Sequence, residues 1–148
     1  MYKHILVATD GSKLSVKALK TAAALAAGLG ARLSGVYVMP EYSPPVYGEG
    51  SMFAAGVSAA RFREQAKTDA KASLAAAAKV AYEADVPFTP ISVTGWQPWE
   101  SILKTARARK CDLVVMASHG RRGLSGFLLG SETTKVLTHS KVPVLVVR

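Results

Sequence analysis

Five short runs of aliphatic and β-branched residues, at positions 4–8, 33–38, 88–93, 112–117 and 143–147, are separated by longer segments whose apolar residues recur every three or four positions. This alternation of two periods constrains the fold more than any other feature of the chain. A run such as Leu113-Val114-Val115-Met116-Ala117 is apolar at successive positions, which suits a strand covered on both faces. Strands of that kind, each followed by a helical crossover, build a parallel sheet with right-handed connections. The order βαβαβαβαβ therefore predicts an α/β fold in which a single domain over residues 1–148 forms a doubly wound, five-stranded parallel sheet with four helices.

The helical segments carry their own punctuation. Leu14, Ala18, Ala22, Leu25 and Leu29 define one face of a first helix, with Lys13, Lys17 and Lys20 on the other, and Gly28 and Gly30 stop it. An Ala-rich second helix over about 61–84 faces inward through Phe62, Ala66, Leu74, Ala77 and Ala81. Pro98 opens a third, and a short fourth spans 131–140. Pro90 places the third strand at a sheet edge, where its missing N–H does least harm. Between Pro40 and Ala60 three prolines and Gly48, Gly50 and Gly56 interrupt all periodicity, and a loop of that length suggests a lid or a partner surface. Trp96 and Trp99 are expected to pack in the core or at the start of the third helix.

A composition of 49 % hydrophobic and 20 % charged residues excludes global disorder, and a chain of 148 residues can bury one sizeable core. No apolar run reaches the ~18 residues of a membrane-spanning helix. The opening apolar stretch meets Asp10 too soon for a secretory signal, so a cytoplasmic protein with no membrane partner is expected. One cysteine, Cys111, and three histidines give no disulfide and no metal-ligand spacing, and Cys111 reads as a small residue beside a strand. The net charge is +9, and the chain from Lys104 onward holds most of it. Aromatics amount to 7 % and do not interleave with the basic residues, so nucleic acid is not favoured as a partner.

In an open parallel sheet, ligands bind beyond the carboxyl ends of the strands where the strand order reverses. That rule selects the turn Ala8-Thr9-Asp10-Gly11-Ser12 and the long connection from Ala117 to Ser131. The second contains Gly120, Gly123, Gly126 and Gly130, the adjacent Arg121 and Arg122, and Ser131 as an N-cap hydroxyl opening a helix. Backbone N–H groups and a helix dipole there suit a phosphate. Turn residues and a simple cap account for part of this loop, and Asp10 serves equally as an Asx-turn cap or as a ligand group. Neither G-x-x-x-x-G-K-[ST] nor G-x-G-x-x-G is present, and Asp10 lacks the acidic neighbours of a phosphoacceptor site. No G-x-S-x-G elbow accompanies His119, so no catalytic residue is assigned.

The segments Ile5-Leu6-Val7-Ala8-Thr9-Asp10-Gly11-Ser12, Gly35-Val36-Tyr37-Val38 and Asp112 through Gly130-Ser131 to Val147 resemble the universal stress protein family over essentially the whole chain. The resemblance is to UspA-like members of its ATP-binding branch, whose pattern is G-x2-G-x9-G-[ST]. Gly120, Gly130 and Ser131 fit that pattern, and Ala117 stands at its first glycine. It implies a Rossmann-like, adenine nucleotide alpha hydrolase-like sheet of order 3-2-1-4-5. It also implies ATP contacts from Ala8, Thr9, Asp10, Val38, Met116, Ala117, Gly120, Gly130, Ser131 and Glu132, with Mg or Mn carried by the phosphates. A homodimer through strand 144–147 is a further implication. The expected function is a cytoplasmic stress-response regulator with at most slow hydrolysis. A nucleotide-free interaction protein and an AMP or adenosine-ligand sensor of the same fold remain the alternatives.

Overall fold

A computed structural model describes residues 1–44, 58–120 and 129–148. The elements follow in the order β1 (His4–Ala8), α1 (Lys13–Leu29), β2 (Arg32–Met39), α2 (Ala59–Glu83), β3 (Phe88–Thr94), α3 (Pro98–Ala108), β4 (Leu113–Ala117), α4 (Ser131–His139) and β5 (Val144–Val147). The strands form one sheet in the order β3-β2-β1-β4-β5, with every pairing parallel.

Side-chain alternation along each strand divides the core between the two faces of the sheet. Ile5, Val7, Leu33, Leu113 and Val115 point to one face, where Ala18, Leu19, Ala22 and Ala26 of α1 and Ala77 and Ala81 of α2 cover them. Leu6, Val36, Ile91, Val114 and Met116 point to the other, against Ile102 and Ala106 of α3 and Val136 of α4. Because helices lie on both faces, consecutive residues of the inner strands β1, β2 and β4 are buried, which is why these runs lack polar alternation, whereas the edge strands β3 and β5 bury few of theirs. The small alanines of α1 let that helix sit close over the centre of the sheet.

Local signals set the ends of the elements. Ser12 caps α1, its hydroxyl accepting from the Ser15 amide at 3.2 Å, and Gly30 closes the helix at φ 62°. Ser58 caps α2 in the same way through the Arg61 amide. Pro90 lies on β3, an edge strand, opposite Gly35, as its chemistry requires. Two expectations need correction. Gly130, not Ser131, is the N-cap of α4, and Ser131 is the first helical residue. Trp99 is half-buried at the start of α3 as expected, whereas Trp96 is 64 % exposed and packs in no core.

Candidate functional site

The direction of winding reverses at β1, which has β2 on one side and β4 on the other, so a crevice opens between the exits of β1 and β4. On the β1 side the ladder continues one residue beyond the strand through the Thr9 amide, which donates to the Val36 carbonyl at 3.0 Å. The buried Thr9 hydroxyl accepts from the Gly11 amide and shares a 3.2 Å hydrogen bond with Ser15 Oγ. Asp10 Oδ1 accepts from the Ser12 amide at 2.9 Å, an Asx turn that leads directly into the capped start of α1. Its other oxygen reaches across the crevice. A Cβ placed on Gly120 would lie 2.7 Å from Asp10 Oδ2, so the two loops meet here and a side chain at 120 would displace the Asp10 carboxylate.

On the β4 side three hydrogen bonds hold the long connection in place. The Ser118 amide donates to the Val147 carbonyl at 2.8 Å, the Gly130 amide to the Ser118 carbonyl at 2.8 Å, and the buried Thr133 hydroxyl to the Ala117 carbonyl at 3.0 Å. The connection therefore returns to its own starting point, and α4 begins directly at the exit of β4. Gly130 is needed there for space, because a Cβ would lie 3.1 Å from His119 Cα and 3.3 Å from the Ser118 carbonyl oxygen. No side chain among the described residues caps α4, and Ser131 is exposed, so the first-turn N–H groups stand at the positive end of the helix dipole without a partner side chain among those residues.

The expected residues come from four places: Ala8, Thr9 and Asp10 at the exit of β1, Val38 next to the end of β2, Met116 and Ala117 at the end of β4 with Gly120 beyond it, and Gly130, Ser131 and Glu132 at the start of α4; the contacts given bring Asp10 to Gly120 and Gly130 to the Ser118–His119 exit of β4. Ala117 is a buried strand residue outside the positive-φ region, so a methyl group fits where the family pattern has glycine. Glu132 has a further structural task. Its Oε2 accepts from the Trp99 amide at 2.8 Å, capping the first turn of α3, while Oε1 lies 3.4 Å from Lys135 Nζ. Arg121 and Arg122, and residues 45–57 of the long proline-bearing loop, lie outside the described residues. Ser118 Oγ and His119 Nδ1 are 3.2 Å apart.

Thr133 and Ser15 support the crevice from beneath, and neither stood out in the sequence, since a threonine or serine inside a first helical turn carries no local mark of a long-range partner. At the opposite end of the sheet, buried His4 is likewise satisfied across the fold, by the Arg109 carbonyl at 3.0 Å on Nδ1 and Ser34 Oγ at 2.8 Å on Nε2. Burial and the Arg32 charge hold its pKa below the ordinary 6.5. Burial and the neighbouring Asp112 carboxylate push the Cys111 thiol up to about 11, so it stays protonated and unreactive near neutral pH. An open hollow beside Tyr82, Asp85, Val86 and Pro87 also lies at that end, far from the glycine-bearing loops.

Fold and crevice together define a doubly wound α/β protein whose two central strand exits meet at the reversal point of its sheet. The chain belongs to the universal stress protein family, whose family model matches residues 1–148. A universal stress protein of Thermus aquaticus, from the 3′ region of a QAH/OAS sulfhydrylase, is 36 % identical over 152 residues and covers 100 % of both chains. Among solved structures, MJ0577 of Methanocaldococcus jannaschii superposes with a TM-score of 0.80 at 29 % identity, over 99 % of this chain and 96 % of the other. A universal stress protein in complex with cAMP superposes with a TM-score of 0.72 at 28 % identity, over 99 % and 97 %.

Proposed function

We propose that this universal stress protein binds ATP in the crevice between β1 and β4 and acts as a nucleotide-dependent regulator, with at most slow hydrolysis. The observation that carries the reading is the meeting of the two loops. Gly120 is bare beneath the Asp10 carboxylate, and Gly130 seats the uncapped start of α4 against the exit of β4. N–H groups at such a helix start bind phosphate oxygens. In this reading the backbone at Gly120, Gly130 and Glu132 together with the Ser131 amide and hydroxyl takes the phosphates, and Ala8, Thr9, Asp10, Val38, Met116 and Ala117 take the nucleoside. The cAMP held by the solved relative supports an adenine ligand. No group of three or more His, Cys, Asp or Glu side chains suited to a metal occurs among the described residues, so Mg or Mn would be held chiefly by the phosphates.

A second reading, an AMP or cyclic-nucleotide sensor, takes its support from the same relative. Ser131 separates the two. Denaturing freshly purified protein and identifying released nucleotide by mass, followed by titration of the emptied protein with Mg-ATP and AMP, tests both. Stoichiometric ATP or micromolar rebinding is expected, and Ser131→Ala should weaken ATP about tenfold while leaving AMP nearly unchanged, the loss of one phosphate hydrogen bond. Equal affinities of Ser131→Ala and the parent for ATP would favour the sensor, and refusal of every adenine nucleotide would leave a nucleotide-free interaction protein. Gly130 is a poorer target, because any side chain there strains the His119 backbone before it meets a ligand.

A further inference from the structure

We infer that Trp96 is a base-stacking residue of the nucleotide site, an inference that rests on the nucleotide reading above and extends it to a residue no motif marks. Among the described residues the large exposed hydrophobic side chains are Met1, Tyr82, Trp96, Leu137 and Leu145. Of these, Trp96 stands directly after a strand exit, on the same edge of the sheet as the crevice. Its position is built with care. The Gly95 amide donates to the Met39 carbonyl at 3.0 Å, so the β3 exit is tied to the β2 exit. A Cβ on Gly95 would collide with Ser101 Oγ and lie 4.0 Å from Val38 Cγ1, so the turn that presents Trp96 sits close against α3 and in contact with the end of β2. The indole itself makes no hydrogen bond or ring contact within the described residues, in contrast to Trp99, whose Nε1 donates to Gln97 Oε1 and whose ring lies 4.5 Å from that of His139.

Dimensions connect this turn to the site. With phosphates at the start of α4, which begins directly at the exit of β4, the nucleoside extends over β1 toward β2. Neighbouring strands are about 4.8 Å apart and Thr94 lies three residues beyond the level of Ala8 in the sheet register, so the β3 exit lies roughly 14 Å from the β1 exit. That span is about the length of a nucleoside plus the reach of an indole. Both faces of a purine are apolar and polarisable, and a rigid aromatic side chain with a free face stacks on them at low entropic cost. An indole left 64 % in water is unfavourable for the free protein and becomes favourable once a base covers it.

The chain has two tryptophans, so Trp99→Phe leaves Trp96 as the sole indole reporter. In that background, Mg-ATP should shift or quench Trp96 emission and protect it from acrylamide, whereas tripolyphosphate, which has no base, should leave it unchanged. In the parent protein Trp96→Leu should weaken ATP roughly tenfold by equilibrium dialysis, Trp96→Phe should restore most of the loss, and tripolyphosphate binding should be equal in all three. ATP binding that is intact in Trp96→Leu, with a silent Trp96, would overturn the stacking role and leave the nucleotide reading standing. Absence of ATP binding to the parent protein would overturn both.

Discussion

His4 shows how a single residue on the first strand answers to the whole fold. The Arg109 carbonyl must receive a proton from Nδ1, which leaves Nε2 to accept from the Ser34 hydroxyl, so the neutral imidazole completes the pair. Burial and Arg32 disfavour the charged ring. Above pH 6.5 folded and unfolded chains both hold neutral His4 and its full contribution is present. As pH falls below 6.5 the unfolded chain takes up a proton that the folded chain refuses, and stability declines until the lowered folded pKa is reached. Urea midpoints should therefore drop between pH 7 and 5, and His4→Gln, less stable overall, should lose that part of the slope; an unchanged slope would place the effect elsewhere. Asp112 adds nothing in this window. Although burial opposes its charge, the amides of Lys3 and His4 hold its pKa below the ordinary 3.8, so its contribution fades only in stronger acid.

Among the elements, α3 and α4 depend on each other at their amino-terminal ends. Glu132 belongs to the first turn of α4 yet caps α3 through the Trp99 amide, and the ring pair Trp99–His139 joins the same two helices at the other end of α4. Glu132→Ala should cost about 1 kcal/mol, as loss of a helix cap does, while Glu132→Gln, which keeps an acceptor, should cost less. Urea denaturation of both variants checks this, and equal stability of Glu132→Ala and the parent would mean that water replaces the cap. The partly exposed Lys135 pair contributes little to the difference. The elements themselves were legible from periodicity. Their caps were less so: Ser12 and Gly30 follow local rules, whereas α4 starts on Gly130 because the Ser118 carbonyl and the His119 backbone press on that residue. Trp96 and Trp99 lie three residues apart, and only packing against α4 distinguishes the half-buried one from the exposed one.

For the whole molecule, the open edge of β5 is the surface that most needs an explanation. β5 pairs with β4 on one side, and Leu145 stays 37 % exposed on a short, apolar edge strand. The homodimer through residues 144–147 that the family resemblance implies would cover it. Sedimentation velocity should show a dimer at micromolar concentration and Leu145→Lys should shift it to monomer; a monomeric parent would refute the pairing. No helix among the described residues is long and apolar enough to cross a membrane.

Period, punctuation and glycine content by themselves determined the alternating elements, the two-faced burial of the inner strands, the edge position of Pro90 and the two strand exits that meet at the crevice, because each of these depends on residues a few positions apart. Only the tertiary structure decided that Asp10 lies over Gly120, that Thr133 holds the Ala117 carbonyl, that His4 joins Ser34 to Arg109, and that Trp96 is left in water. Those contacts connect distant parts of the chain. Strand order and helix packing create them, and no local pattern encodes which of many polar or aromatic residues will be brought together.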